Sequence, residues 1–349
     1  MLKISKKTFF YASVISIFIL LIGSALIIFN KDPFWCFSYK YSKYRLNIDE
    51  REQKLNLIHY ARKNIDCLIL GSSRVTYINS FDLTGRNAFN FAVSDMNLAE
   101  IYDFVEIVKF KTKCNLKYII IGMDFYSMNK SRKSDFTSIQ YYTNKICNPF
   151  YKIKTLISFD SLIYSIKSLL YSFEMFQDRR LDYYSTDFIK QMFIPTKNEK
   201  MSYMVSDIKQ YESKIYGDNF AYNYDLKETF KKMRKTNSTA KIIIFTTPES
   251  DQLFKLMVKK NLMKYYKMWI RDIVDVFGYL YNFMDINSIT INSENFKDLN
   301  HFYPNVGKLI IHRVMKVEDS DIPDDFGYLV NKENIEYYFN RIDLSLKNQ

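Results

Sequence analysis

Residues 66–74 read DCLILGSSR, a run of apolar side chains that ends abruptly in a glycine, two serines and an arginine. A short apolar run bounded by turn residues is typical of a buried strand in a parallel sheet. The chain has only 8 glycines in 349 residues, so a glycine directly after a strand marks a backbone position that needs one. The stretch therefore predicts a strand and then a tight turn that presents Ser72 or Ser73.

The pattern of an apolar run followed by polar residues recurs along the chain and predicts an α/β fold. The predicted strands span residues 66–70, 88–92, 118–121, 241–245 and 279–284. Helical patterns separate most of them, which indicates a parallel sheet covered on both faces. Active sites of such sheets form at the carboxyl ends of the strands. The candidate polar residues that follow the predicted strands are Ser73, Ser94, Asp95, Asp124, Asp298 and His301.

The N-terminal segment predicts a membrane helix. Residues 9–29 contain no charged side chain, and this length is sufficient to cross the hydrocarbon core. Lys3, Lys6 and Lys7 precede the segment, so the positive-inside rule predicts a cytoplasmic N-terminus. A cleaved signal peptide is the alternative, because residues 23–25 resemble a small-residue cleavage site. The apolar run continues beyond that site, which favours a retained anchor, and either outcome exports the rest of the chain.

The middle of the chain, about residues 126–235, is mostly helical and is predicted to be an insertion. Residues 158–173 form an amphipathic helix within it. Core packing is the simplest explanation of the apolar face of this helix, and a lid or a membrane-facing surface is the alternative. The apolar face carries Leu162, Ile163, Ile166, Leu169 and Leu170.

The composition argues against nucleic-acid binding and against a metal or cofactor site. The net charge is +12, but lysines are scattered over the whole chain and no known nucleic-acid-binding motif is present. A basic surface that faces anionic lipid or glycan is the better explanation. No His, Asp or Glu cluster has ligand spacing. The four cysteines include no C-x-x-C pair and select no disulfide: Cys36, Cys67, Cys114 and Cys147.

A catalytic triad can be assembled from two of the predicted loops. A nucleophilic serine needs a tight turn at a strand end, which Ser73 has. His301 lies in a loop three residues after Asp298, a spacing that lets the carboxylate hold Nδ1–H while Nε2 takes the serine proton. A solvated loop histidine beside a helix-capping aspartate is the alternative. The combination favours a triad of Ser73, His301 and Asp298, with Ser72 as the fallback nucleophile.

Four short blocks of the sequence resemble the SGNH/GDSL hydrolase superfamily, in its membrane-anchored, DltD-like and polysaccharide O-acetylation branch. Residues 66–74 resemble the first block in its Gly-Ser-Ser form, and residues 298–307 resemble the last block, whose D-x-x-H carries the acid and the base. Residues 90–95 are similar to the second block and residues 122–124 to the third. The resemblance spans roughly residues 60–315 and leaves the middle uncovered.

The resemblance implies a single N-terminal transmembrane helix followed by a flavodoxin-like, three-layer SGNH domain with a central parallel sheet and a helical insertion. The implied divisions are a cytoplasmic stub and anchor (1–30), a linker and lead-in helix (31–64), the α/β domain (65–317) and an acidic tail (318–349). The main domain would lie outside the cytoplasm, on the periplasmic or cell-surface side.

Two residues depart from the pattern of the family in the oxyanion hole that the resemblance implies, which would use Ser73, Asp95 and Asp124. Asp95 stands where the second block has a glycine that donates its N–H, and Asp124 stands where the third block has a donating asparagine. An ionised aspartate cannot donate a hydrogen bond. Asp124 would have to be protonated, be replaced by a neighbour such as Asn129, or serve another purpose. Arg74 is interpreted as a surface ion-pair residue, with guidance of an anionic substrate as the alternative.

The sequence and the resemblance together predict an anchored serine esterase or O-acyl (acetyl) transferase. The expected partners are the lipid bilayer, an acylated or acceptor envelope polysaccharide and a membrane-bound acyl-transfer protein, and no nucleic acid or cofactor is expected. The competing hypothesis is a non-catalytic, anchored glycan-binding or assembly-scaffold protein that retains the fold. Asp95 and Asp124 are the residues that favour this second hypothesis.

Overall fold

The computed structural model describes residues 5–37, 43–61, 64–132, 136–172 and 181–347. The contacts of the chain divide it into two compact units. The first unit combines Met1–Arg62 with Gln140–Gln191, and the second combines Lys63–Ile139 with Met192–Gln349.

The described helices and strands alternate through much of the chain. The helices are α1 (Lys6–Lys31), α2 (Glu50–Tyr60), α3 (Leu98–Thr112), α4 (Ile139–Cys147), α5 (Tyr151–Leu156), α6 (Phe159–Ser172), α7 (Lys197–Gln210), α8 (Leu226–Thr236), α9 (Asp251–Lys259), α10 (Met263–Phe277), α11 (Pro304–Met315) and α12 (Ile335–Lys347). The strands are β1 (Arg45–Leu46), β2 (Cys67–Leu70), β3 (Ala88–Asn90), β4 (Tyr118–Met123), β5 (Tyr183–Tyr184), β6 (Lys190–Gln191), β7 (Lys241–Thr246), β8 (Tyr279–Asn282) and β9 (Tyr328–Asn331).

The second unit is a mixed α/β fold with a mostly parallel sheet. Its six described strands lie in the order β3-β2-β4-β7-β8-β9, and all neighbours are parallel except β8 and β9. The five predicted strands are all present, which confirms the prediction of a mostly parallel sheet. Strand β2 lies between β3 and β4, and it pairs Ile69 with Asn90 of β3 and with Ile120 of β4. The chain passes from β2 to β3 on one side and then to β4 on the other, so the turn after β2 leaves the point where the strand order reverses, which is where ligands bind in folds of this kind.

Apolar side chains on both faces of the sheet explain why its strands read as continuous apolar runs. On one face, Ile69, Ile120 and Ile243 pack with residues of α11 such as Ile310 in a single buried cluster. On the other side, α10 contacts β8 and α8, and α8 contacts α3. Burial on both faces removes the apolar–polar alternation that marks a half-exposed strand.

The residues after α11 form part of the packed second unit, because they contribute the last strand of the sheet and a helix. Strand β9 pairs antiparallel with β8, and helix α12 buries Tyr338, Phe339 and Ile342. The acidic segment that begins near residue 318 therefore contains an edge strand and a packed helix. The sequence alone describes this segment only as an acidic tail.

Gly71 is required by the turn that follows β2. Its φ is +150°, a conformation that side chains rarely adopt, and an added Cβ would lie 2.4 Å from Val75 Cγ2 and 2.8 Å from the Gly122 carbonyl oxygen. A methyl group at this position would therefore strain the backbone and also displace the core beneath the turn.

We expect Gly71→Ala to lower the free energy of unfolding of the second unit by about 2–4 kcal/mol. The two tryptophans, Trp35 and Trp269, fall in different units, so urea unfolding in a Trp35→Phe background follows the second unit alone through Trp269 fluorescence. Gly85→Ala is the matched control, because Gly85 has φ +71° but no atom within 4 Å of its added Cβ. Equal losses in the two variants would contradict the packing argument.

The first unit contains a long apolar helix and an unusually polar buried helix. Helix α1 has 26 residues, is long and apolar enough to cross a membrane, and buries only Ile28. It is consistent with a single-pass anchor or a signal sequence. Helix α2 is buried along most of its length although most of its residues are polar. Glu50 at its start accepts hydrogen bonds from Lys190 at 2.8 Å and from the Tyr184 hydroxyl at 2.6 Å.

Candidate active site

Three side chains from two separate loops form a hydrogen-bonded relay in the second unit. The Ser73 hydroxyl oxygen lies 2.9 Å from His301 Nε2, and His301 Nδ1 lies 2.8 Å from Asp298 Oδ2. Asp298 Oδ1 also accepts hydrogen bonds from the backbone N–H groups of His301 at 2.7 Å and Asn300 at 2.9 Å. In this arrangement an imidazole can take the proton of a hydroxyl while a carboxylate orients the ring.

The turn after β2 holds Ser73 at the carboxyl end of this strand. Thr76 closes the turn, because both its N–H, at 3.2 Å, and its hydroxyl, at 2.5 Å, donate to the Ser73 carbonyl oxygen. The Tyr77 ring meets the His301 ring edge-on, with centroids 6.1 Å apart. The neighbouring Ser72 is 1% exposed, which leaves Ser73 as the more accessible hydroxyl of the pair.

The aspartate of the relay is suited to hold a positive charge on the histidine. Burial raises the pKa of the Asp298 carboxyl, but the adjacent His301 and the hydrogen bonds of the loop outweigh this effect and hold the pKa below its ordinary value. The side chains of Asp298 and His301 are 12% and 23% exposed, so the imidazole is still reachable from solvent. An ionised carboxylate stabilises the imidazolium that forms when a serine is deprotonated.

A second carboxylate, from α7, supports the loop that carries the histidine. Asp207 Oδ2 accepts hydrogen bonds from the Leu299 N–H and from Asn300 Nδ2, both at 3.0 Å. Burial and the nearby charge of Asp298 raise the pKa of Asp207. The role of Asp207 could not be predicted from the sequence, because a single aspartate in a polar helical pattern carries no signal of a contact with a loop about ninety positions later in the chain.

The turn after β3 lies beside the turn that carries the serine. The Val93 N–H donates to the Gly71 carbonyl oxygen at 3.0 Å, and Asp95 follows two residues later with φ +56°. Aspartate tolerates this left-handed conformation better than most residues. Asp95 therefore has a backbone conformation that favours glycine, the residue that the second block of the family carries at this position. The Asp95 carboxylate forms an ion pair with Arg132, which compensates its charge. Among the described residues, no acceptor takes the Ser73 N–H.

Arg74 is the centre of a buried charged cluster, so the interpretation of this residue as a surface ion-pair residue is wrong. Its side chain is 1% exposed. Nη1 lies 3.2 Å from Asp124 Oδ1, 3.1 Å from Glu249 Oε2 and 3.2 Å from Thr247 Oγ1, and Nη2 donates to the Tyr211 hydroxyl at 2.6 Å. We call these five residues the Arg74 cluster. Thr247 and Glu249 follow the fourth predicted strand, and this position at the carboxyl end of a strand is the signal in the sequence that points to them.

The inclusion of the Asp124 side chain in the oxyanion hole is not supported. Its carboxylate accepts a hydrogen bond from the Thr247 hydroxyl and pairs with Arg74, so it acts as an acceptor. Asn129, the suggested replacement, is also engaged, because its Nδ2 donates to the Ile215 carbonyl oxygen at 3.0 Å. Asp124 serves the Arg74 cluster instead, which leaves backbone N–H groups as the candidate oxyanion donors.

The Arg74 cluster contains one guanidinium and two carboxylates, and this imbalance affects Glu249. Burial raises the pKa of Glu249 to about 7, with Arg74 acting in the opposite direction and the charge of Asp124 raising it further. The folded state therefore holds a proton that the unfolded chain releases near its ordinary pKa. The stabilisation from this proton is complete below the unfolded pKa and is lost as the pH rises through about 7.

We expect Glu249→Gln to remove most of this pH dependence. The wild type should lose stability between about pH 5 and pH 8, and the variant should lose about 2–3 kcal/mol less over this range. The remaining slope comes from other groups such as Asp285, whose pKa burial raises to about 6. Urea unfolding followed by Trp269 fluorescence at each pH measures the difference. Glu212→Gln is the control, because the Glu212 side chain is 42% exposed. Parallel pH profiles for the wild type and Glu249→Gln would contradict the assignment.

Over the described part of the chain, no group of three or more His, Cys, Asp or Glu residues is placed to hold a metal ion. The four cysteines are free thiols. A second histidine–aspartate contact joins His312 to Asp319 at 2.6 Å, near the end of α11.

Comparisons with known proteins leave the family of the chain open. No family model matches the sequence, and no curated protein matches it. One solved structure, described as "a putative platelet activating factor from Streptococcus pneumonia", aligns with a TM-score of 0.31 and 9% identity over 76% of this chain and 89% of the other. A likeness of this strength supports no argument about fold or activity.

Proposed function

We propose that the chain is a membrane-anchored serine esterase or O-acyl transferase of the SGNH type. The observation that carries this proposal is the relay from the Ser73 hydroxyl through His301 to Asp298, with both contacts at hydrogen-bond distance. A mostly parallel sheet that presents the serine at the carboxyl end of β2, where the strand order reverses, is compatible with the flavodoxin-like, three-layer SGNH domain that the resemblance implies.

The proposed reaction begins when His301 Nε2 removes the hydroxyl proton of Ser73 as Oγ attacks the acyl carbonyl carbon. Asp298 stabilises the imidazolium. The backbone N–H groups of Ser73 and Asp95 would donate to the oxyanion of the tetrahedral intermediate. His301 then returns the proton to the leaving alcohol, which gives an acyl-Ser73 ester.

Water or a glycan hydroxyl completes the cycle. In either case His301 takes the proton of the incoming oxygen, the ester bond to Ser73 breaks, and the serine hydroxyl is restored. Water gives an esterase and a glycan hydroxyl gives a transferase. Envelope polysaccharide as the substrate or acceptor rests on the resemblance and on the anchor, as does a membrane-bound acyl-transfer partner.

The proposed location is the cell membrane, with the N-terminus in the cytoplasm and the catalytic unit outside. Helix α1 supplies the span, and the lysines before and at its start favour this orientation. Retention of α1 as an anchor is part of the proposal.

A fluorophosphonate probe tests the proposal on the full-length chain in detergent. We expect wild-type protein to gain one covalent adduct, mapped to Ser73 by peptide mass spectrometry, and heat-denatured protein to gain none. Asp298→Asn should slow labelling by about 10²–10⁴-fold, because the imidazole loses the partner that fixes its tautomer. Ser72→Ala should label at the wild-type rate.

The competing function is a non-catalytic glycan-binding or scaffold protein. The engagement of Asp124 with Arg74 favours it, because the side-chain oxyanion donor that the resemblance expects is missing. Folded wild-type protein that stays unlabelled by the probe, together with retained binding to envelope glycan, would establish this alternative.

A further inference from the structure

Helix α6 in the first unit buries small polar side chains and exposes large apolar ones. Ser161, Ser165 and Ser168 are 0%, 0% and 3% exposed, whereas Phe159 is 75% exposed and Ile166 is 41% exposed. A surface helix of a water-soluble domain shows the opposite arrangement, with its apolar stripe turned to the core. Small residues at the helix contact and large apolar residues outward are the pattern of helices that face lipid.

The preceding helix continues the exposed apolar surface. Ile153 of α5 is 57% exposed, and Ile157, between the two helices, is 67% exposed. We call the combined surface the apolar hairpin face, formed by Phe150, Ile153, Ile157, Phe159, Ile166 and Leu170.

The hairpin lies against the apolar helix α1, within the same unit. Both α5 and α6 contact α1. The Phe34 ring meets the Tyr164 ring of α6 at 6.0 Å, and Lys152 of α5 lies 5.4 Å from the centre of the Phe37 ring. Phe34 and Phe37 follow the last residue of α1 closely. The hairpin is therefore continuous with the segment that would cross the bilayer, at the end where that segment leaves the hydrocarbon core.

The charges of the hairpin and the length of α6 indicate how deeply the hairpin would enter a bilayer. Lys152, Lys154 and Lys167 are interspersed with the apolar residues, against a single acidic residue of the same stretch, Asp160. Lysines of this kind can extend to anionic headgroups while their apolar stems stay in lipid. The 14 residues of α6 span only about 21 Å, too short to cross a hydrocarbon core of about 30 Å.

We propose that the α5–α6 hairpin is a second membrane attachment, which lies in the interface of the bilayer that α1 crosses. The apolar hairpin face enters the acyl boundary and the three lysines meet anionic lipid headgroups. The inference rests on the membrane location of α1, and it is independent of the proposed catalysis. Of the explanations of the amphipathic helix at residues 158–173, which are core packing, a lid and a membrane-facing surface, this inference favours the membrane-facing surface.

Depth-dependent fluorescence quenching tests the attachment on the full-length chain in vesicles of phosphatidylcholine and phosphatidylglycerol. Serine replaces Cys114 and Cys147, the two cysteines that are not buried, and a single new cysteine carries an environment-sensitive dye. The test position is Ile157→Cys. Leu20→Cys on α1, where leucine is 71% exposed, reports the anchor, and Phe110→Cys on α3, where phenylalanine is 74% exposed, is the matched apolar position outside the hairpin.

We expect lipids with a nitroxide near the headgroup to remove about half or more of the emission at position 157 and to leave position 110 nearly unchanged. Position 20 should be quenched best by a nitroxide deep in the acyl chain. Quenching at position 20 with none at position 157 overturns the hairpin inference and leaves the anchor intact. A dye at position 157 that is shielded from water yet insensitive to nitroxide lipids also overturns it and assigns the face to a second copy of the chain. An unquenched position 20 overturns both the anchor and the hairpin.

Discussion

Replacement of Ser73 by alanine is expected to lower kcat/KM for hydrolysis of an aryl acetate by about 10³-fold or more. In the proposed reaction the Ser73 hydroxyl oxygen becomes acylated, and among the described residues this hydroxyl is the hydrogen-bond partner of His301 Nε2. Loss of the nucleophile of a serine relay leaves only the contributions of binding and of the oxyanion donors. Release of the aryl alcohol, followed spectroscopically with full-length protein in detergent, measures the rate.

Stability should be nearly unaffected by this substitution, because Ser73 is only partly buried and its backbone contacts with Thr76 remain. Ser72→Ala is the matched control, since it removes a hydroxyl one residue away in the same turn. If Ser72→Ala abolished the activity and Ser73→Ala did not, the fallback assignment of the nucleophile would be correct. Equal residual activity in both variants and in the wild type would assign the hydrolysis to a contaminant and would contradict the proposed chemistry.

The sequence was informative where local pattern and chemistry coincide. An apolar run that breaks at a rare glycine predicts both the strand and the strained turn, and the turn is where Ser73 lies. The spacing of Asp298 and His301 needs only a short loop to bring carboxylate and imidazole together, and the structure places these groups 2.8 Å apart. The carboxyl ends of parallel strands lie at the same end of a sheet, so the loop with Ser73 and the loop with His301 are brought close together by the topology of the sheet.

The sequence was uninformative where a residue acts through partners distant in the chain. Arg74 follows the serine in a polar turn, which suggests a surface position, yet its partners come from the residues that follow β4, β7 and α7. Asp207 supports the histidine loop from a helix whose pattern shows no sign of it. The exposed apolar side of α6 has the same periodicity as a core-facing side, so periodicity locates the stripe without saying whether protein or lipid covers it.

Arg74→Met is expected to lower the free energy of unfolding of the second unit by about 3–5 kcal/mol at pH 8, because it leaves two buried carboxylates without their cation. Asp124 and Glu249 are 2% and 0% exposed, so water cannot replace the guanidinium. The loss should shrink as the pH falls, because an unpaired buried carboxyl group has a raised pKa and regains stability when protonated. Urea unfolding followed by Trp269 fluorescence at pH 8 and at pH 5 measures both effects.

Two further variants separate the removal of a charge partner from the removal of a large side chain. Arg271→Met breaks an ion pair with Glu336 whose side chains are 46% and 69% exposed, and such pairs contribute at most about 1 kcal/mol. The triple variant Arg74→Met, Asp124→Asn, Glu249→Gln neutralises the whole cluster, and it should recover part of the stability that Arg74→Met loses, since a buried polar group without charge is less costly than an unpaired ion. If the triple variant were less stable than Arg74→Met, the guanidinium would act mainly by filling space and by its hydrogen bond to Tyr211, and the charge argument would fail.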